Sequence, residues 1–162
     1  MNKRLFFSAI LFSLIFSSCN FSKGVKKDLS TGLSASYNGF SIEDIYLASE
    51  EKRLSNNSIA MGSKINITAT GVENFTAKDG KVFPGCTILL TDKTGKEILN
   101  LPDAFADMKE GTTAAEAKTL QASLNTGDPM VVGETYHLSV RFFDKNKKEN
   151  EIVANVDLLM KE

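Results

Sequence analysis

The feature that most constrains this chain is a two-residue period in its hydrophobicity. Toward the carboxyl end Ile152, Ala154, Val156, Leu158 and Met160 alternate with Val153, Asn155, Asp157 and Leu159. A second run sets Tyr136, Leu138, Val140 and Phe142 against His137, Ser139, Arg141 and Phe143. A third sets Ile65, Ile67 and Ala69 against Lys64, Asn66, Thr68 and Thr70. Successive side chains of a strand point to opposite sides, so this period predicts strands with one face toward a core and one toward water. Ser41–Ala48 and Thr87–Thr91 read as further strands.

Turn-forming residues separate these runs: Asp79-Gly80, Pro84-Gly85, Thr94-Gly95, Gly127-Asp128-Pro129 and Gly133-Glu134. Two connections resemble each other. Asp92 to Glu97 precedes Ile98, and Asp144 to Glu149 comes shortly before Ile152. Both read as polar hairpin tips. A calcium loop would need about 6–8 oxygen ligands, and Lys145, Lys147 and Lys148 in the second tip repel a cation. Between 111 and 125, Thr113 and Glu116 form a possible capping box, whereas Leu120, Ala122 and Leu124 alternate. The reading is a short helical turn near Thr113–Ala117 followed by a strand over Lys118–Leu124. About seven to nine short strands between 33 and 162 predict an all-β, antiparallel sandwich.

Gly133, Tyr136 and the alternating strand that ends at Asp144 resemble the penultimate strand of immunoglobulin-like bacterial modules. That resemblance implies an immunoglobulin-like β-sandwich and nothing about activity. The chain has no Trp, so the Cys…Trp…Cys core of antibody domains is absent. A lipocalin-like or oligonucleotide-binding-type barrel is the competing architecture.

The amino terminus carries a different signal. Lys3 and Arg4 precede an apolar run from Leu5 to Phe16, broken only by Ser8 and Ser13. A basic start, an apolar stretch and small residues at its end make a secretory signal. The run is shorter than the ~20 residues needed to cross a bilayer. Phe16-Ser17-Ser18-Cys19 resembles the lipobox of bacterial lipoproteins, with Phe16 where the usual pattern has Leu. The resemblance implies cleavage between Ser18 and Cys19, a diacylglyceryl group on the Cys19 thiol, and acylation, as by palmitate, of the new amino group. One acyl chain binds a membrane marginally, whereas two or three hold it stably, at about 0.8 kcal/mol per buried CH₂. The expected organisation is therefore a signal peptide over 1–18, lipidated Cys19 with a flexible Ser/Gly/Lys-rich tether over 19–32, and the sandwich over 33–162. Lys23, Lys26 and Lys27 could each add roughly 1 kcal/mol near anionic headgroups. Asn20 stands where an inner-membrane retention Asp would be, and no acidic cluster for surface display follows. The expected address is the bacterial outer membrane, facing the periplasm.

Catalytic sets are scarce. Net charge is −1, which gives no basic field for nucleic acid. One His and two Cys cannot build a multi-ligand zinc centre, and the chain has neither a phosphate-cradling Gly-rich loop nor a nucleophile elbow. No cofactor is expected. His137 reads as a surface residue in mid-strand, and Cys86 as a buried, inert thiol. The Asn66-Ile67-Thr68 and Asn74-Phe75-Thr76 sequons carry no weight behind a bacterial signal. For glycans, Tyr37, Tyr46 and Phe143 are the aromatic candidates, each read first as a packed strand residue. Phe142 and Phe143 must face opposite sides of a strand, so Phe143 is the candidate partner contact.

The expectation is a lipid-anchored envelope protein acting as a non-catalytic binding or accessory module, with the membrane and an unidentified protein or small ligand as partners. One alternative is an envelope hydrolase or hydrolase inhibitor using Asp103, Asp107 and Glu110. Another is a structural subunit of an envelope complex.

Overall fold

The computed structural model describes residues 22–162. Its eleven strands are β1 (Lys23–Asp28), β2 (Leu33–Asn38), β3 (Asp44–Ser49), β4 (Lys52–Arg53), β5 (Ser58–Ala60), β6 (Lys64–Thr70), β7 (Pro84–Asp92), β8 (Glu97–Leu101), β9 (Thr119–Asn125), β10 (Thr135–Asp144) and β11 (Lys147–Lys161). One sheet has the order β1-β2-β11-β10-β7-β8, with β5 beside β11; the other has the order β4-β3-β6-β9. Every pairing is antiparallel except the short β5–β11 contact. This is the antiparallel β-sandwich that the alternation predicts. The number of strands exceeds seven to nine because β4 and β5 are only two and three residues long, and because β1 forms where a tether was expected.

The alternating runs meet across the gap between the sheets. Ile152, Ala154, Val156, Leu158 and Met160 of β11 are fully buried, as are Leu138, Val140 and Phe142 of β10. Within the sheet Val140 stands opposite Ala154 and Phe142 opposite Ile152. The four-stranded sheet answers with Ile45, Leu47, Ile65, Ile67, Ala69, Leu120, Ala122 and Leu124. Burying one such Leu, Ile or Phe side chain contributes about 1.5–3 kcal/mol. Phe40 and Phe75 close one end of the core, their ring centroids 4.6 Å apart.

The capping box forms as read. Thr113 N–H donates to Glu116 Oε2 at 3.0 Å and Glu116 N–H to Thr113 Oγ1 at 3.2 Å. It starts a single 3-10 turn, Glu116–Lys118, that leads straight into β9. Both polar hairpin tips are also present. Asp92 Oδ1 accepts from the backbone N–H groups of Thr94 and Lys96, which closes the first.

Two expectations need correction. The stretch expected as a flexible tether is strand from Lys23 to Asp28, paired with β2 along all six residues. Its polar sequence suits an outer edge: Lys23 and Lys27 stay in water on one face, Lys26 and Asp28 are part-buried on the other, and the charges blunt the edge against stray pairing. Asp28 closes the β1–β2 turn, taking Ser30 N–H on its carboxylate and Gly32 N–H on its carbonyl. In β6, Asn66 and Thr68 were expected to face water, yet they are 5% and 6% exposed. β6 lies between β3 and β9, so its short side chains are shielded by larger neighbours such as Tyr46 and Gln121, which stand opposite Thr68. Asn66 Oδ1 accepts the Ser123 hydroxyl at 2.7 Å.

The β1 pairing gives a direct prediction. The β1 amides that bond β2 should exchange hydrogen at least about tenfold more slowly than free peptide. Free-peptide exchange over residues 23–28, measured by mass spectrometry, would restore the tether.

Candidate functional site

The tip of the β10–β11 hairpin organises one end of the sandwich. Asp144 is fully buried there. Its Oδ1 accepts Asn146 N–H at 2.9 Å, and its Oδ2 accepts Thr76 N–H from the neighbouring loop at 2.6 Å. Asn146 Nδ2 returns a bond to the Thr76 carbonyl. Asn150, also buried, donates to the Asn74 carbonyl at 2.9 Å, and Asn38 donates to the Glu149 carbonyl at 2.8 Å. Gly39 sits between them with φ +72°, and a Cβ there would strike the Asn150 amide. Gly39 N–H donates to the Ser22 carbonyl, so the first described residue is fastened to this end.

Two hollows flank Asn38. One, about 310 Å³, is bordered by Gly39, Asn74, Thr76, Lys147 and Asn150. The other, about 280 Å³, lies over Lys23, Val25, Ser36, Tyr37 and Glu151. Asn38 Oδ1 is buried without a hydrogen-bond partner among the described residues. Each hollow carries one lysine and one glutamate among its lining residues, Lys147 with Glu149 and Lys23 with Glu151, so with the amides of Asn38, Asn74 and Asn150 the lining suits polar groups better than apolar ones. The sequence reading missed Asn38, Asn74 and Asn150. Its one signal for them was the hairpin tip at Asp144, because their convergence depends on the end of β2, the loop after β6 and the start of β11 meeting.

The sequence-predicted residues fall elsewhere. Ser18 and Cys19, like Phe16, Ser17 and the whole signal segment, lie outside the described residues. Phe143 is on the outer face of its sheet, as the alternation requires, but it is 8% exposed. Its ring occupies the space left by Gly85 on the adjacent strand, where a Cβ would collide with it. The Arg141 guanidinium covers the ring at 4.7 Å from its centroid. Arg141 is itself held by Glu151 and by the Lys148 carbonyl. Phe143 is thus a packed residue rather than a free contact surface, because the glycine opposite it makes room that alternation alone cannot reveal.

Asp103 is also a structural residue. Its carboxylate pairs with Lys145 Nζ at 2.7 Å and accepts the N–H groups of Cys86 and Phe105 at 3.1 and 2.9 Å. Burial alone would raise the Asp103 pKa, but these donors outweigh it and hold it below the ordinary value. Asp107 and Glu110 are exposed on the same long loop. His137 lies on the outer face, its Nδ1 2.8 Å from Asp157 Oδ1. Tyr46 is half-buried under the Arg53 guanidinium, 5.1 Å from its ring centroid, and Tyr37 packs against the core. Cys86 is buried, and desolvation first, then the Asp103 charge, push its thiol up to about 12. Among the described residues, no three of His, Cys, Asp and Glu stand together as a metal-ion ligand set.

No protein-family model matches the chain, and no characterised protein matches it by sequence. Among solved structures the chain is similar to the C-terminal domain of Wzt, at 12% identity and a TM-score of 0.48, over 89% of this chain and 80% of that one.

Two outcomes follow from Asp103 and Cys86. Asp103→Ala leaves the Cys86 and Phe105 N–H groups without their acceptor and Lys145 without its counter-charge, with only the Phe105 carbonyl at 3.0 Å still bound, so it should cost about 2–3 kcal/mol in thermal or denaturant unfolding. A carboxyl held below its ordinary pKa stabilises the fold above that value, about 3.9, and stops doing so as pH falls through the lowered folded value. The difference in Tm between wild type and Asp103→Ala should therefore shrink below about pH 4. In the native protein the Cys86 thiol should resist a disulfide reagent at pH 8 and react only after denaturation; prompt native labelling would contradict its burial.

Proposed function

We propose that this chain is a lipid-anchored protein of the bacterial cell envelope, held at the outer membrane facing the periplasm, whose β-sandwich serves as a non-catalytic binding or accessory module. The observation that carries the reading is the basic, apolar, small-residue succession that ends in Phe16-Ser17-Ser18-Cys19, close before the sandwich begins. Acyl chains on Cys19 supply membrane attachment, and the folded remainder supplies surfaces for recognition. Among the described residues no helix is long and apolar enough to cross a membrane, so Cys19 is the attachment point the reading uses.

The use of Asp103 weighs against the hydrolase and hydrolase-inhibitor alternatives. A carboxylate engaged by a lysine and two backbone N–H groups holds the loop in place, whereas a general acid would need its proton free and its pKa raised. A structural role in an envelope complex is distinguished by co-purification: stoichiometric recovery with fixed partners favours it over a dissociable module.

Metabolic labelling with an alkynyl palmitate analogue tests the anchor. The expected result is label on the wild-type chain, none on Cys19→Ser, and release of that variant from the membrane fraction. An unlabelled, soluble wild-type chain would overturn the reading.

A further inference from the structure

The structure shortens the leash between the acyl group and the sandwich. Between Cys19 and the first described residue, Ser22, stand only Asn20 and Phe21. At about 3.3–3.6 Å per residue, three steps of extended chain reach roughly 10 Å. Ser22 is not loose at its own end, because its carbonyl accepts Gly39 N–H at 2.7 Å and β1 starts at the next residue. The end of the sandwich that carries Ser22 also carries the β10–β11 tip and the two hollows around Asn38.

We infer that this end of the domain docks directly on the bilayer surface, with Lys23, Lys147 and Lys148 against anionic headgroups. The inference rests on the lipidation reading above. Two observations argue for the bilayer as occupant. The chain outside the structure is too short to carry the anchor elsewhere. The charge around the two hollows also suits it: Lys23, Lys147 and Lys148 are exposed, and of the acids on the loops at this end Glu151 is neutralised by Arg141 at 2.5 Å, Glu73 by Lys118 at 2.9 Å, and Asp79 and Glu110 stand among Lys78, Lys81 and Lys109, which leaves Glu43 and Glu149 as the exposed acids set against the three lysines. Each lysine near an anionic leaflet contributes about 1 kcal/mol, and the attraction fades within a Debye length of about 8–10 Å. Lysines on so short a leash are held inside that range.

Exposure of apolar side chains alone would suggest the opposite orientation. Leu29 is 92% exposed, Val131 57% and Val132 44%. They lie at the far end, in the β1–β2 turn and the loop before β10. β1 alone spans roughly 17 Å at about 3.3 Å per residue, so the leash holds these residues away from the lipid while the domain stands on its Ser22 end.

The test uses the full, acylated chain in vesicles containing phosphatidylglycerol and a headgroup-linked quencher. Single fluorophores are placed at Ala77→Cys, at the Ser22 end, and at Lys96→Cys, at the far end. Cys86 is buried and Cys19 acylated, so neither competes for label. Quenching at 77 should exceed that at 96 by about threefold or more, falling toward parity in zwitterionic vesicles and in the Lys23→Glu/Lys147→Glu/Lys148→Glu variant. A melting curve must show that the variant remains folded, and single reversals serve where the triple does not fold. Equal quenching at both sites, stronger quenching at 96, or indifference to charge reversal in protein whose mass includes the acyl chains would overturn the docking and leave the anchor standing. A mass without acyl chains would overturn both.

Discussion

The structure depends first on the inward row of β11. This strand runs fifteen residues and pairs with β10, β2 and β5. Ile152, Ala154, Val156, Leu158 and Met160 all point into the gap between the sheets. A slip of one residue would turn the whole row to solvent and bring Val153, Asn155, Asp157 and Leu159 inward, burying a carboxylate and an amide without partners. The register of β11 is thereby set, and through it that of β10, β7 and β2, which hang on it in turn. The four-stranded sheet supplies the complementary apolar face, and the core forms where the two periods meet.

What the apolar row cannot supply is closure of the sandwich end, and there polar side chains take over. Asp144 and Asn150 are buried, and burying such groups is unfavourable unless each finds a hydrogen bond. Asp144 finds two backbone N–H groups on two loops, and Asn150 reaches the carbonyl of Asn74. Asp103 performs the same task one loop away, joining β7, its own loop and the hairpin through Cys86, Phe105 and Lys145. Carboxylates and amides can do this because several loop N–H and carbonyl groups at the end of a sheet have no ladder partner. The same bonds join the loops to strands that the core already holds, so this end is stiff although much of it is loop.

The core strands were legible because their periodicity is a direct consequence of having one dry face and one wet face. Ile65–Ile67–Ala69, Leu138–Val140–Phe142 and the β11 row each fall where alternation places them. The capping box at Thr113 and Glu116 and both polar tips were legible because their chemistry is local. β1 was not, because an edge strand that gives no side chain to the core needs no apolar period, and Lys-rich edge sequence looks like linker sequence. The packing of Phe143 was illegible for a related reason. It is determined by Gly85, 58 positions away in the chain but opposite it in the sheet. The hollows around Asn38 combine β1, β2 and β11 with the loop after β6, and nothing in any one of them announces the others.

The strand at residues 23–28 changes what an anchor at Cys19 would do. On a long flexible tether, a lipidated domain samples every orientation, and each of its surfaces meets partners equally. On a leash of two intervening residues, with Ser22 fastened to Gly39, rotation about such an attachment would be restricted and one end would be kept at the headgroups. Restricting orientation in advance lowers the entropy lost when a partner in the same compartment binds the surfaces that remain outward. Affinity for such a partner would then rise without any new contact, by the placement of a six-residue, lysine-rich strand that the hydrophobic pattern alone would assign to no structure.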